Sequence, residues 1–305
     1  MKHADRLRDA LAHASGRIVI TGHDTPDVDS VISCVLMHEL ISRWGFEAQI
    51  VFTSRAHEQA RRLLAAELPQ MDAWVGETRP EDCLVLVDHN RPLHAGSVIA
   101  CVDHHPTQNM PDYPYVQIES CGACALMVYR LFEEAGFEPG DRLTRLTVIA
   151  VYLDTLALRS PKMRGEDIPW VRAQAQRLGM DEAWLMREGL CLCDMARSPQ
   201  SLAMEGFKRF VFGGRLVLTT HVQTDAMTQE ILGRILVCLR GELRVRSGAL
   251  WVFLVHDPVR QRSEQYDLFA DGTMRVRRYD HLASRGRDVM PAIEREMEKR
   301  HEHES

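Results

Sequence analysis

No apolar run in the 305-residue chain approaches the ~20 residues that span a bilayer, and the N-terminal stretch MKHADRLRDALAHASGR has no continuous apolar core of signal-peptide length. The expectation is a soluble, cytoplasmic chain without a membrane partner. Positive charge is not in excess either. Against 37 Lys and Arg stand 43 Asp and Glu, a net charge of −6, so generic adhesion to nucleic acid is not expected and any anionic ligand must be held locally. The chain lacks internal repeats and low-complexity linkers, and 45% hydrophobic with 26% charged residues excludes a disordered chain. Cysteines number eight, too few at this length for a disulfide scaffold. Cys34, Cys83, Cys101 and Cys238 sit in apolar stretches where cysteine behaves as a small hydrophobe. Cys121 and Cys124 form a CxxC and Cys191 and Cys193 a CxC. A four-thiolate zinc site or a redox pair is disfavoured, because the second spacing is wrong and the first pair lies on the apparent helix SCGACALMVYRLFEEAG.

What is present is an alternation. RIVIT (17–21), EAQIVFT, CLVLVDH and SVIACVDHH read as strands, and VDSVISCVLMHELISRWG and AHEQARRLLAAEL as helices between them. Further helical patterns follow at about 120–136, 141–159, 165–178 and 181–190. The expected fold is α/β, a mostly parallel sheet with helices on both faces. DMARSPQ (194–200) breaks the pattern, and beyond it come a hairpin at Gly213 and Gly214, a helix in TDAMTQEILGRILVCLRG, strands in ALWVFLVHD and EQYDLFADGTMRVRRY, and a closing helix. Residues 1–193 and 200–305 are thus expected to form two domains, the second smaller.

Acidic residues cluster where the strands of the first half end. Asp27 and Asp29 follow the first strand, Asp88 ends CLVLVD, Asp103 with His104 and His105 ends VIACVDHH, and Asp154 follows TVIAVYL. In an open parallel sheet the carboxyl ends of strands face one crevice. Two carboxylates ~4 Å apart repel by about 4 kcal/mol at an effective dielectric of 20, so convergent ones must take up protons or metal. His23, His104 and His105 add imidazoles without nearby thiolates, a set that suits Mn²⁺, Mg²⁺, Fe²⁺ or Co²⁺. Asp27, Asp29, Asp88 and Asp154 together carry the charge that two divalent ions cancel, and such a pair can activate water for phosphoryl transfer. Taken singly, Asp29 reads as an N-cap, Asp88 as a turn opener and Asp154 as a solvated helix face. Taken together they share no structural reason. His38, His57, His94, His221 and His256 read as surface or satisfied histidines.

GHDTPDVDS, VDHN, VDHH and YLDT occur in the order and spacing of the DHH phosphoesterase superfamily, and the chain resembles its family II, manganese-dependent inorganic pyrophosphatases over nearly its full length. The resemblance implies a metal-binding DHH domain, a C-terminal domain that closes over the active site, and hydrolysis of a small phosphate-containing substrate, pyrophosphate first. It implies two divalent ions, Mn²⁺ above Co²⁺ or Mg²⁺: His23, Asp27 and Asp88 on one, Asp29, Asp88, His104 and Asp154 on the other, with Asp88 bridging at the catalytic centre. His105 would face the substrate phosphate or leaving group, and Asp103 would orient a histidine through its ring N–H. Lys208 in FKRF and Arg285 and Arg287 in SRGRD would grip the distal phosphate. A homodimer is an open expectation; nucleic acid is not an expected partner. Asp24 and Thr25 depart from the family's basic residue and Asn, and Gly286 replaces the first Lys of its basic SRKKQ-like motif. The metal set is complete while the grip is short of a cation. This keeps open a second reading, hydrolysis of short polyphosphate, a nucleotide or another phosphoester.

Overall fold

A computed structural model describes residues 2–304 apart from 93, 94, 108, 160–162 and 192, which places His94 outside the described residues. The chain divides into two compact units, Met1–Leu185 and Met186–Ser305.

The first unit runs α1 (His3–Ala12), β1 (Ile18–Thr21), α2 (Val28–Arg43), β2 (Ala48–Ile50), α3 (Glu58–Leu64), β3 (Cys83–Val87), β4 (Ser97–Asp103), β5 (Tyr115–Ile118), α4 (Cys124–Glu134), α5 (Gly140–Asp154), α6 (Asp167–Arg177) and the single turn α7 (Glu182–Trp184). The strands pair in the order β2-β1-β3-β4-β5, all parallel. β1 and β3 are Val/Ile/Leu runs buried at every residue, as central parallel strands must be. α2 starts where the Asp27 carboxylate accepts the Ser30 N–H at 3.0 Å and is followed by Gly45 at φ 84. Strand order reverses between β1 and β3, and a crevice opens at such a switch point beyond the carboxyl ends of the strands.

In several places the elements differ from their sequence patterns. The strand in EAQIVFT is only three residues, β5 and α1 have no clear counterpart in the sequence pattern, and the helix at 181–190 is α7 followed by a π turn at Leu185–Leu190. Asp154 is the last residue of helix α5, which stops there rather than continuing to about 159 as the sequence pattern suggests.

The second unit contains α8 (Pro199–Ala203), β6 (Lys208–Phe212), β7 (Arg215–Gln223), α9 (Gln229–Val245), β8 (Leu250–Asp257), β9 (Arg262–Phe269), β10 (Met274–Tyr279) and α10 (Met290–Glu304). Its mixed sheet, β10-β9-β8-β7-β6, is antiparallel except at β7 and β8. Period-two alternation divides its core in two. Leu218, Trp251 and Phe253 pack with Leu232, Ile235 and Leu239 of α9, while Val217, Val252 and Leu254 pack with Ile293 and Met297 of α10. Each such fully buried side chain contributes ~1.5–3 kcal/mol. No helix among the described residues is long and apolar enough to cross a membrane. All eight cysteines are free thiols, Cys191 and Cys238 only partly buried and the other six buried.

Candidate metal centre

The loop after β1 carries His23 and Asp27 into the crevice, and the first turn of α2 carries Asp29. A Cβ on Gly22 would collide with Ser30 Oγ, which accepts the His23 backbone N–H at 3.3 Å, so Gly22 and Ser30 fix this loop together. The loop after β3 brings Asp88, whose backbone stands at φ 63. The end of β4 supplies His104, and the C-terminus of α5 supplies Asp154. A carboxylate at a helix C-terminus opposes the macrodipole, which makes Asp154 a poor choice for helix stability alone.

These side chains form three overlapping groups whose ligand atoms lie within 4.8 Å of one another: His23, Asp27 and Asp88; Asp29, His104 and Asp154; and Asp88, His104 and His105. The histidines are fixed alike. His23 Nδ1 lies 2.8 Å from the Asp24 carbonyl and His104 Nδ1 3.0 Å from the Cys121 carbonyl. A carbonyl only accepts, so Nδ1 carries the proton and Nε2 turns inward, the usual support of a metal-ligating imidazole. His23 Nε2 stands 3.6 Å from Asp27 Oδ2 and 3.5 Å from Asp88 Oδ2. His104 Nε2 stands 3.3, 3.7 and 3.8 Å from Asp88 Oδ1, Asp29 Oδ2 and Asp154 Oδ2. All five spacings lie beyond the ~2.7–3.2 Å of an N–H···O hydrogen bond. They approach the ~3.0–3.5 Å between neighbouring donors that each sit ~2.0–2.2 Å from one ion.

The electrostatics point the same way. Asp88 is buried, and its Oδ1 has no hydrogen-bond partner. Burial, then the charges of Asp29 and Asp27, push its pKa far above the usual carboxylate range. Asp29 is pushed up to about 6 by burial and Asp154. Burial opposes charge on His23, yet Asp27, the Asp24 carbonyl and Asp88 outweigh it and push the ring up to about 9. A cluster that must otherwise gather protons fits divalent cations, and its oxygen and imidazole donors fit Mn²⁺ or Mg²⁺ better than a thiolate-bound ion. No such group among the described residues includes a cysteine.

Two assignments shift between neighbours. The capping role read at Asp29 belongs to Asp27, whereas Asp29 caps a different helix: its two oxygens accept the N–H groups of Cys124 and Ala125 at 2.7 and 2.9 Å. Asp103, fully buried, holds His105, with Oδ1 at 2.9 Å from His105 Nδ1. Asn90 of VDHN, to which the sequence alone gives no role, donates from Nδ2 to Asp103 Oδ2 at 2.6 Å. His105 is half exposed and lies 3.7 Å from Asp88 Oδ1. In the second unit Lys208 is exposed on β6 and Arg285 half-buried in the π turn Arg285–Val289, while the Arg287 side chain lies outside the described residues. Thr25 stands at φ 54, a left-handed conformation that Asn adopts readily and a β-branched residue does not.

Comparison with known proteins agrees with this geometry. Residues 17–157 match the DHH family, N-terminal domain. A Bacillus licheniformis protein named "Probable manganese-dependent inorganic pyrophosphatase" is 28% identical over 72% of this chain and 74% of its own length. A Streptococcus agalactiae protein of the same name is 26% identical over 81% of this chain and 85% of its own. In fold, the chain is similar to a Methanococcus jannaschii structure named for the family II inorganic pyrophosphatases, with TM-score 0.58 and 19% identity over 91% of this chain and 98% of that one. It is also similar to an exopolyphosphatase-related protein from Bacteroides fragilis, with TM-score 0.51 and 12% identity over 99% of this chain and 97% of that one. The crevice at the β1/β3 switch point therefore lies within the stretch, residues 17–157, that matches the DHH family, N-terminal domain.

Proposed function

We propose that the chain hydrolyses inorganic pyrophosphate with the help of two divalent ions, manganese before cobalt or magnesium. The carrying observation is the pair of imidazoles, His23 and His104, each fixed by Nδ1–H on a carbonyl with Nε2 turned onto buried carboxylates. His23, Asp27 and Asp88 would hold one ion and Asp29, Asp88, His104 and Asp154 the other. Bound divalent ions supply an activated water nucleophile and charge stabilisation for phosphoryl transfer. Asp88 then belongs to both ligand sets through its two oxygens. Asp103 and Asn90 set the His105 ring with Nδ1 inward, leaving Nε2 to bind the substrate phosphate or to protonate the leaving group. Lys208, Arg285 and Arg287 act as phosphate-binding cations of the second unit, 186–305, which serves substrate binding. Eight free thiols agree with a cytoplasmic setting.

A second reading, hydrolysis of a bulkier phosphoanhydride or phosphoester, is favoured by Gly286, where an added Cβ meets open space. Phosphate release from pyrophosphate, tripolyphosphate and nucleotides with Mn²⁺, Mg²⁺ and Co²⁺ separates the two. Preferred release from pyrophosphate supports the first reading and preference for a larger substrate the second. Full activity in chelator after metal stripping, or no release from any substrate, overturns both.

A further inference from the structure

Arginines of the second unit mostly come with their anions. Arg197 meets Glu205 at 2.6 Å, Arg260 meets Asp257 at 2.8 Å, and Arg275 is held by Asp267 and Glu296 at 2.8 and 2.7 Å. Arg285 differs. Its Nη1 donates to the Gly206 carbonyl at 2.6 Å and lies 3.4 Å from Thr219 Oγ1. Burial alone moves its pKa, downward, and among the described residues no carboxylate pairs with it. A half-buried guanidinium without a counter-ion is costly, which marks this place as one built for an arriving anion.

Two histidines share the place. His221 of β7 and His256 of β8 have ring centroids 5.8 Å apart. Gly206 stands at φ 58, and a Cβ there would collide with the His221 ring, so only glycine lets the segment held by Arg285 lie against this imidazole. His221 is anchored through its backbone N–H on the Glu205 carbonyl at 3.0 Å. His256 Nδ1 lies 2.8 Å from Ser263 Oγ, which accepts the Ala283 N–H at 2.9 Å, so the ring is fixed at Nδ1 and keeps Nε2 for a ligand. Lys208 pairs with Thr219 across the β6–β7 hairpin.

Burial, then Arg285, lowers the His221 pKa; Glu205, whose carboxylate is engaged by Arg197, works against them, and Lys208 adds a smaller lowering. Burial, His221 and Arg285 push His256 down to about 4. A bound anion reverses these signs, because negative charge beside a neutral imidazole favours proton uptake.

We propose that His221 and His256 are substrate-binding residues which, with Arg285 and Lys208, form a phosphoryl site in the second unit and take up a proton from solvent as the phosphate binds. The bound imidazolium supplies the positive charge that Gly286 does not. As a phosphate subsite of the substrate, this rests on the hydrolase reading given above.

Histidine Cε1–H resonances of the metal-free full-length chain, assigned with His221→Gln and His256→Gln, are followed across pH with and without inorganic phosphate and pyrophosphate. The expected result is that both anions move the His221 and His256 signals and raise their titration midpoints. In parallel, KM and kcat for pyrophosphate are measured across pH with Mn²⁺. His221→Gln is expected to raise KM about tenfold at pH 6.5, the loss of one charge-assisted contact, with a smaller effect at pH 8.5 and kcat within about twofold. Signals that ignore millimolar phosphate overturn the proposal, as do variants whose KM keeps the wild-type pH profile. A chain that binds phosphate at these rings yet releases none from pyrophosphate keeps the site and overturns the hydrolase reading instead. The resonance experiment reads the wild-type protein, so a variant that fails to fold does not decide it.

Discussion

Burial works against charge on both rings, but in the first unit Asp27, the Asp24 carbonyl and Asp88 outweigh it and push His23 up to about 9, whereas in the second His221 and then Arg285 add to it and His256 falls to about 4. Both rings are fixed at Nδ1, His23 on a carbonyl and His256 on a hydroxyl. What differs is the sign of the charge left uncompensated around them. Excess carboxylate calls for cations and excess guanidinium for an anion, so the surroundings of a histidine identify its ligand better than its immediate hydrogen bond does.

The most forceful way to break the contrast is Asp88→Asn, which removes charge from both ligand sets. Phosphate release is expected to fall by at least about 10³-fold. Melting of the metal-free protein should not fall, since Asp88 Oδ1 has no hydrogen bond to lose and Asn accepts the φ of 63. Mn²⁺ should raise the Tm of the wild type but no longer that of the variant, and an unchanged response to Mn²⁺ would remove Asp88 from the centre.

Acid acts on the other setting. The folded pKa of His256 lies below that of the unfolded chain, so the neutral ring stabilises the fold above pH ~6.5, and this stability is lost as pH falls towards 4. The loss amounts to roughly 3 kcal/mol for this one group. Urea midpoints at pH 7 and pH 4.5 measure it; His256→Gln should flatten the difference, and phosphate should restore part of it in the wild type.

Gly286→Lys tests whether the second setting is short of a cation. Because a Cβ there meets open space, the substitution is tolerated, and on the pyrophosphatase reading KM for pyrophosphate falls several-fold. On the alternative reading the same lysine hinders the bulkier substrate and barely helps pyrophosphate. If kcat/KM stays constant on every substrate, residue 286 does not face the ligand. The smallest effect is expected at Thr25, where the ligand-bearing loop of the first unit holds a β-branched residue at φ 54. Thr25→Asn should stabilise the fold by about 1 kcal/mol, read as a higher urea midpoint. The backbone N–H bond to Ser54 Oγ at 2.9 Å is kept in the variant, so no gain would show that the threonine side chain carries no strain penalty at this φ.

β1, β3 and β4 are legible in the sequence because a short β-branched apolar run that stops abruptly at polar residues suits a buried strand leading into a loop and little else. The convergence of His23, Asp27, Asp29, Asp88 and His104 then follows from parallel strands sharing one carboxyl end. β5 is not legible, since Tyr115–Ile118 is four residues long and closely follows prolines. Asp154 is legible as a helical neighbour of the cluster but not as the helix terminus, because Leu156 and Leu158 carry the apolar pattern past it. The grip of Asn90 on Asp103 depends on side-chain geometry across adjacent strand ends, and the meeting of His221 and His256 depends on strand register, neither of which a single sequence encodes locally. His256 reads as a satisfied residue, yet among the described residues only its Nδ1 has a hydrogen-bond partner, Ser263 Oγ, and that its companions are His221 and Arg285 becomes visible only in the assembled sheet.

Asp29 clamps the first turn of α2 onto the first turn of α4 through two backbone N–H groups at the far end of a 95-residue chain separation. Its loss would therefore injure architecture as well as chemistry, and more so than loss of Asp27, which accepts a single N–H within its own helix. A descendant that abandoned catalysis could shed His104 or Asp154 at less structural expense than Asp27, which caps α2, and would be under most pressure to keep Asp29. Retention of this aspartate in a degenerate copy would thus be a fossil of helix docking, and inactive controls are better built at His104 or Asp154.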